Sequence, residues 1–317
     1  MTNNNPYHEG ELAVQTRLNA TDMALKTGRV IRDSIPGGAL PFIEQQAMVV
    51  IGSIDPQGQV WASILFGQPG FLRAINMRTL ELNLAQAGSS AEDPLWKNLE
   101  SNFSVGLIVI ELGSRRRLRV NGKLRKVSDK GYIIDVKQAY ANCPKYIQRR
   151  HLKRATQQFN QQVEPAKFST ELNLDQKTLI TNSDTFFVAS AHPDHGVDAS
   201  HRGGQPGFVT VLNETLLRIP DYIGNNMFNT LGNFQSYPYA GLVFIDFQHK
   251  QLLQLTGKAK ILWHFDDKND ETGGTRRYWE FEIMALQERS IPFNIDWELL
   301  EYSPFNPQPT KTSPPPL

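Results

Sequence analysis

The stretch Asp198-Ala199-Ser200-His201-Arg202-Gly203-Gly204-Gln205-Pro206-Gly207-Phe208 decides how the chain is read, because it joins strand-like alternation, an unshielded cation and a glycine-rich turn. It has an echo. Trp61-Ala62-Ser63-Ile64-Leu65-Phe66-Gly67-Gln68-Pro69-Gly70-Phe71 repeats the frame with Gly-Gln-Pro-Gly-Phe identical, Ser63 matching Ser200 and Gly67 matching Gly204 at the same spacing. Self-similarity at a fixed long spacing marks a duplicated unit. Each copy follows a proline-bearing turn, Asp55-Pro56-Gln57-Gly58 and His192-Pro193-Asp194-His195-Gly196. Each turn in turn follows an apolar run, Met48 to Ser53 and Thr185 to Ser190. Both copies therefore read as hairpins feeding a tight Gly-Pro-Gly bend.

Outward from this pair, Val105 to Glu111 is a continuous apolar run and Leu118 to Val127 alternates. Gly241 to Asp246 and Leu253 to Trp263 repeat that order, Gly241 matching Gly106 and Gly257 matching Gly122. The simplest reading is a mainly β protein with helices, built as two tandem six-stranded barrels. Its expected organisation is an N-terminal helical segment over 1–46, a first barrel over 47–135, and a basic helical connector over 136–180. A second barrel over 181–302 and a proline-rich tail over 303–317, too rich in proline to pack, complete it.

The bulk properties exclude several classes of function. A length of 317 residues and 40% hydrophobic content suit two units with cores. A net charge of +1 gives no global argument for a nucleic-acid partner. The basic stretches Arg115-Arg116-Arg117-Leu118-Arg119 and Cys143 to Arg154 are read instead as a local patch that meets the phosphate end of a nucleotide. No run approaches the roughly 20 apolar residues that span a bilayer, so no membrane partner is expected. The single cysteine, Cys143, and the absence of an export signal in Met1 to Gly10 point to a reducing cytoplasm. His192, His195 and His201 lie close in sequence, but no cysteine or carboxylate cluster completes a ligand set, and no metal is expected.

The candidate site follows from alternation. In Val197 to Arg202, Asp198, Ser200 and Arg202 share one face, with Ala199 and His201 on the other. An arginine fork, a hydroxyl and the flexible Gly203-Gly204 backbone suit an anion such as a phosphate. The first copy has Leu65 where the second has Arg202, so the fold does not require this cation. The loop holding Asn225, Asn226 and Met227 precedes a helix whose start could hold an anion, with Thr230 in its first turn. Gln254, Thr256 and Lys258 share one face of the closing strand, and a glutamine there could bond the edge of a ring. Lys145 and Arg149, four apart, would share a helix face.

Three of these stretches, Asp198 to Gly204, Gly224 to Asn233 and Ala141 to Arg150, resemble the pyridoxamine phosphate oxidase-like FMN-binding split barrels. More narrowly, they are similar to the tandem flavin-nucleotide-binding members of that superfamily. The resemblance implies noncovalent FMN at an interface between two barrels and redox chemistry on the flavin. It implies Asp198, Ser200, His201, Arg202, Asn225, Asn226, Met227, Thr230, Gln254, Thr256, Lys145 and Arg149 as the binding set. Implied partners are a small-molecule substrate or a separate ferredoxin-reductase-like electron donor, and a homodimer beyond the intrachain pair. The alternative class is a non-catalytic flavin or haem carrier or sensor. The oxidation of pyridoxamine phosphate itself is not expected, since Asn294-Ile295-Asp296-Trp297-Glu298 onward lacks the Arg and His pair that reaction uses.

Overall fold

A computed structural model of the chain describes residues 5–88, 90–129, 131–156 and 165–307. The chain enters through α1 (Glu9–Arg17), α2 (Thr21–Gly28) and α3 (Leu40–Glu44). The first half then runs β1 (Met48–Ile54), β2 (Val60–Gly67), β3 (Leu72–Asn76), β4 (Thr79–Asn83), the short β5 (Ala87–Gly88) and α4 (Pro94–Asn98). It closes with β6 (Ser104–Glu111), β7 (Arg116–Ser128) and β8 (Gly131–Ala141). β9 (Arg149–Thr156), β10 (Lys167–Ser169) and α5 (Leu174–Asn182) lead into the second half. That half comprises β11 (Thr185–His192), β12 (Gly196–Gly203), β13 (Thr210–Val211), β14 (Leu216–Pro220), α6 (Asn229–Ser236), β15 (Tyr239–Asp246), β16 (Gln251–Leu262), β17 (Tyr278–Ser290) and β18 (Asn294–Glu301).

The two large sheets share one plan. The first has the order β3-β4-β8-β7-β6-β1-β2-β5 and the second, read in the same direction, β13-β14-β17-β16-β15-β11-β12. The register agrees too: Met48 faces Phe66 across β1 and β2, and the residues matching them, Thr185 and Gly203, face each other across β11 and β12. Each half is mainly a β-sheet with a few helices on it.

The halves pack against each other reciprocally. Gly106 in β6 lies so close to β12 that a Cβ there would meet the Val197 carbonyl oxygen at 2.3 Å. Gly241, its counterpart in β15, lies against β2, where a Cβ would meet the Ala62 nitrogen at 2.6 Å. The same contact made twice with the roles exchanged is the signature of a twofold-type interface. It also explains the continuous apolar run of β6. Val105, Leu107 and Val109 fill the first half's own core, whereas Ile108 and Ile110 face the core shared with Phe187, Ala199 and Val243 of the second. A strand with both faces buried loses its polar alternation.

The mainly β architecture stands, but the connector over 136–180, expected to be helical, is largely extended among the described residues. β8 continues to Ala141, and β9 pairs antiparallel with β18 in a two-stranded ribbon; residues 157–164 lie outside the described part. The basic residues that suggested a helix face meet acidic partners across the ribbon instead: Arg149 with Glu301 at 3.2 Å and Lys153 with Glu298 at 2.9 Å. Among the described residues of 136–180, helix occurs only in α5, which begins at Leu174. The tail is corrected as well. Ser303 and Asn306 are buried, and the Ser303 N–H and the Asn306 amide donate to Gln148 Oε1 at 2.7 and 3.0 Å. Residues 308–317 lie outside the described part. No helix among the described residues is long and apolar enough to cross a membrane.

Candidate functional site

The reciprocal packing sets the face of β12 that carries Ser200 against β7 of the other half. Between them lies a cleft lined by Arg117 and Arg119 from β7 and by Ser200, His201 and Arg202 from β12. Asn142, Cys143, Lys145 and Tyr146, after β8, form one wall. The segment from Pro220 through Leu231, which includes Tyr222, Asn225, Asn226 and the first turn of α6, forms the other.

Two of its charges are internally paired. Arg119 donates to Asp198 Oδ1 at 3.2 Å, to the Tyr140 hydroxyl at 2.9 Å and to Ser200 Oγ. Asp198 also accepts from the Asn121 and Asn233 amides at 2.7 and 2.8 Å. Ser200 Oγ, so placed, lies 3.2 Å from Thr230 Oγ1. Two other cations are not paired in this way. Arg117 donates from Nε to the Cys143 carbonyl at 2.9 Å and from Nη1 to His201 Nδ1 at 3.3 Å. Arg202 has its nearest carboxylate oxygen, Asp221 Oδ1, at 3.6 Å from Nη1, and its Nε has no partner. Neither arginine is hydrogen-bonded to a carboxylate among the described residues. Burial, reinforced by Arg119, pushes Arg117 down to about 10, and burial also lowers Arg202.

Because an arginine only donates, His201 Nδ1 is the acceptor and the ring proton sits on Nε2, which is buried without a partner. Burial, with Arg117 and Arg202 beside it, holds His201 well below the usual histidine range, so the ring is neutral. The cleft is partly desolvated and cationic. Two guanidiniums, a positioned hydroxyl and the start of α6, which no side chain caps, surround a space with room for negative charge.

Of the residues expected from the sequence, Ser200, His201, Arg202, Asn225, Asn226, Thr230 and Lys145 come together in this cleft. Five do not. Asp198 stands behind it as the partner of Arg119. Met227 is buried against Tyr7, Ala24 and Tyr140, with its carbonyl accepting from Gln15 at 3.1 Å. Arg149 sits on the surface ribbon with Glu301, and no helix face joins it to Lys145, which lies over the Phe305 ring at 5.4 Å. Gln254 and Thr256 are fully buried at the junction of the halves: the Gln254 amide donates to the Ala62 carbonyl at 2.9 Å, and the Thr256 hydroxyl donates to the Val60 carbonyl at 2.8 Å. Arg117 and Arg119, expected only as part of a basic patch meeting a nucleotide phosphate and not in the binding set, line the cleft individually. Their alternation on β7 was visible, but which surface that face meets depends on docking between halves.

The place equivalent to the cleft on the opposite side of the interface is filled. There Ser63 stands for Ser200, Leu65 for Arg202, Leu252 for Arg117 and Gln254 for Arg119. Asp93 Oδ1 accepts from the Ser63 hydroxyl and from the Leu95 N–H, while Asp93 Oδ2 accepts from Arg289. Arg289 also donates to Gln254 Oε1 at 2.9 Å, and the side chains of Arg289 and Asp93 are 1% and 0% exposed. The chain supplies its own anion at that position. The remaining histidines lie elsewhere: His192 Nε2 is 2.6 Å from Glu9 Oε1, and its ring lies tilted at 43° to that of His8 with centroids 4.3 Å apart. Although ligand atoms of His8, Glu9 and His192 fall within 4.8 Å of one another, Nδ1 of each ring accepts a backbone N–H.

No family model matches the sequence, and no curated protein does. Solved structures give weak likenesses. A putative pyridoxamine 5'-phosphate oxidase from Lactobacillus delbrueckii is 15% identical, with 37% of this chain and 94% of that one covered at a TM-score of 0.31. An FAD-binding protein from Mesorhizobium loti is 7% identical, with 39% and 96% covered at 0.27. An F420 reductase is 14% identical, with 33% and 95% covered at 0.24. With scores below 0.5, the reading of this chain rests on its own geometry.

Proposed function

We propose that the cleft binds FMN and that the chain is an FMN-dependent oxidoreductase-like flavoprotein. The observation that carries this reading is the pair Arg117 and Arg202, one guanidinium from each half, lining one cleft without a hydrogen-bonded carboxylate. A phosphomonoester supplies the hydrogen-bonded anion they lack, in the bidentate geometry a guanidinium favours. The Ser200 hydroxyl, aligned by Arg119, and the start of α6 would complete the phosphate's acceptor and dipole requirements. Tyr146, Tyr222 and Phe208 add aromatic surface suited to a planar ring, Tyr146 and Tyr222 having centroids 5.0 Å apart.

Bound flavin supplies hydride or electron transfer, and no protein nucleophile is needed. The chain's residues would orient the flavin and exclude water, while neutral His201 offers Nε2–H as a hydrogen-bond donor without adding charge. The reading includes a small-molecule substrate, or a separate electron-donor protein, as the redox partner. The test is the visible absorption spectrum of the purified protein followed by titration with FMN. A flavin spectrum, or saturable FMN binding by stripped protein, supports the reading. A haem or deazaflavin chromophore, or no FMN binding, overturns it.

A further inference from the structure

We propose that Asp221 sets the charge the cleft accepts: it is a built-in carboxylate beside Arg202 that fits the site to a single phosphomonoester and disfavours a diphosphate. The proposal deepens the phosphate part of the reading above and does not depend on the flavin ring.

The backbone places this carboxylate. Asp221 follows β14 directly; its N–H donates to the Arg277 carbonyl at 3.0 Å, and its carbonyl accepts from the Thr275 hydroxyl at 2.7 Å. The residue is 4% exposed and lines the cleft. Arg277 donates from Nε to Oδ2 at 3.0 Å, and its Nη2 lies 3.0 Å from the same oxygen. Oδ1 is thereby left toward Arg202, whose Nη1 is 3.6 Å away, beyond hydrogen-bond distance but well within the range of charge attraction. Asp221 therefore tempers the charge of Arg202 without occupying its donors.

The consequence is a limit on the anion. Arg119 is neutralised by Asp198 and Arg277 by Asp221, leaving Arg117 and Arg202, with Lys145 at the wall, to meet a ligand. One phosphomonoester matches the two guanidiniums. A second phosphate group beside the first would face Asp221 Oδ1 in a partly desolvated site, where like charges repel strongly. Neutralising Asp221 removes the repulsion and releases Arg277 as a further cation, and the ligand with more charge gains more.

The experiment measures dissociation constants of inorganic phosphate and pyrophosphate by calorimetry at fixed pH and ionic strength. It uses the full chain and its Asp221→Asn, Asp221→Glu and Arg277→Met variants. Asp221→Asn, which can still accept from Arg277, should improve pyrophosphate binding at least tenfold more than phosphate binding. Asp221→Glu, which keeps the charge, should retain the wild-type ratio. Arg277→Met, which leaves Asp221 unpaired opposite Arg202, should weaken both anions and pyrophosphate more. An unchanged ratio in both Asp221→Asn and Arg277→Met would overturn the proposal. The same panel with FMN and FAD separates the two levels of the account: selective pyrophosphate gain with no flavin binding sinks the flavin reading alone, whereas FMN binding with no shift in selectivity sinks the role of Asp221 alone.

Discussion

Arg119 Nη1 lies 3.2 Å from Asp198 Oδ1, and this buried pair ties β7 of the first half to β12 of the second directly behind the cleft. Asp198 is satisfied by three donors, so its removal leaves a desolvated guanidinium without its carboxylate and takes one acceptor from each of two amides, which keep Gln138 Oε1 and Ser190 Oγ. Breaking one partner of a buried pair costs about 3–5 kcal/mol. Asp198→Ala should destabilise the protein by that order in denaturant unfolding, and Asp198→Asn by less. An exposed pair would contribute under about 1 kcal/mol, so an effect that small would show that the two halves separate easily.

Substitution of the interface glycines tests the reciprocal packing. An added Cβ at Gly106 would sit 2.3 Å from the Val197 carbonyl oxygen, and one at Gly241 would sit 2.6 Å from the Ala62 nitrogen, both backbone atoms that cannot swing aside. Gly106→Ala and Gly241→Ala should each cost about 1–3 kcal/mol or more, measured as loss of the unfolding midpoint. Gly207→Ala is a contrasting case. Nothing lies within 4 Å of its added Cβ, but its φ of +92° confines any penalty to backbone strain.

Much of this was legible in the sequence, and what was not has a common cause. The repeat of Ser63 to Phe71 in Ser200 to Phe208, and the paired glycines, located equivalent strands, because hairpin and strand signals are local. The helical expectation for the connector failed at β9 because the charges of Arg149 and Lys153 are matched by Glu301 and Glu298, roughly 145 to 152 residues away in sequence, on a strand that local spacing cannot reveal. Gln254 and Thr256 failed for the same reason: the face they share was correct, but it meets Ala62 and Val60 of the other half rather than a ligand.

One binding site per chain is expected. The place equivalent to the cleft holds Arg289, Asp93 and Gln254 in an internal network, with Leu65 and Leu252 where the cleft has its two arginines without a hydrogen-bonded carboxylate. Titration of the stripped protein should saturate at one FMN per chain. Saturation at two would mean that the Asp93 and Arg289 network opens to admit a ligand.

Acid–base behaviour isolates Glu11 in α1. Burial, with Asp198 nearby, pushes its carboxyl up to about 8. Since an unfolded glutamate titrates near 4.3, the folded state holds a proton that the unfolded state has lost between these values. The contribution of this group to stability is therefore greatest below about pH 4 and declines as pH rises to about 8. Glu11→Gln should remove that slope. Its absolute stability will be offset, because the Glu11 carboxylate accepts from both the His8 N–H and Asn229. The check is the pH dependence of the difference between wild type and variant, which should favour the variant progressively from pH 5 to 8. A constant difference would place an ordinary carboxylate at this position.

If Arg202, with Arg117, holds a phosphate, the affinities of FMN and of riboflavin for wild type and Arg202→Ala must diverge. Charge-assisted hydrogen bonds contribute about 1.5–3 kcal/mol, so FMN should weaken roughly ten- to a hundredfold. Riboflavin, lacking the phosphate, should be almost unaffected, and Arg202→Lys should recover only part of the loss because an ammonium cannot form the planar fork. The fold should survive, since Leu65 occupies the equivalent position in a half with the same strand order. Equal weakening of FMN and riboflavin would contradict the account.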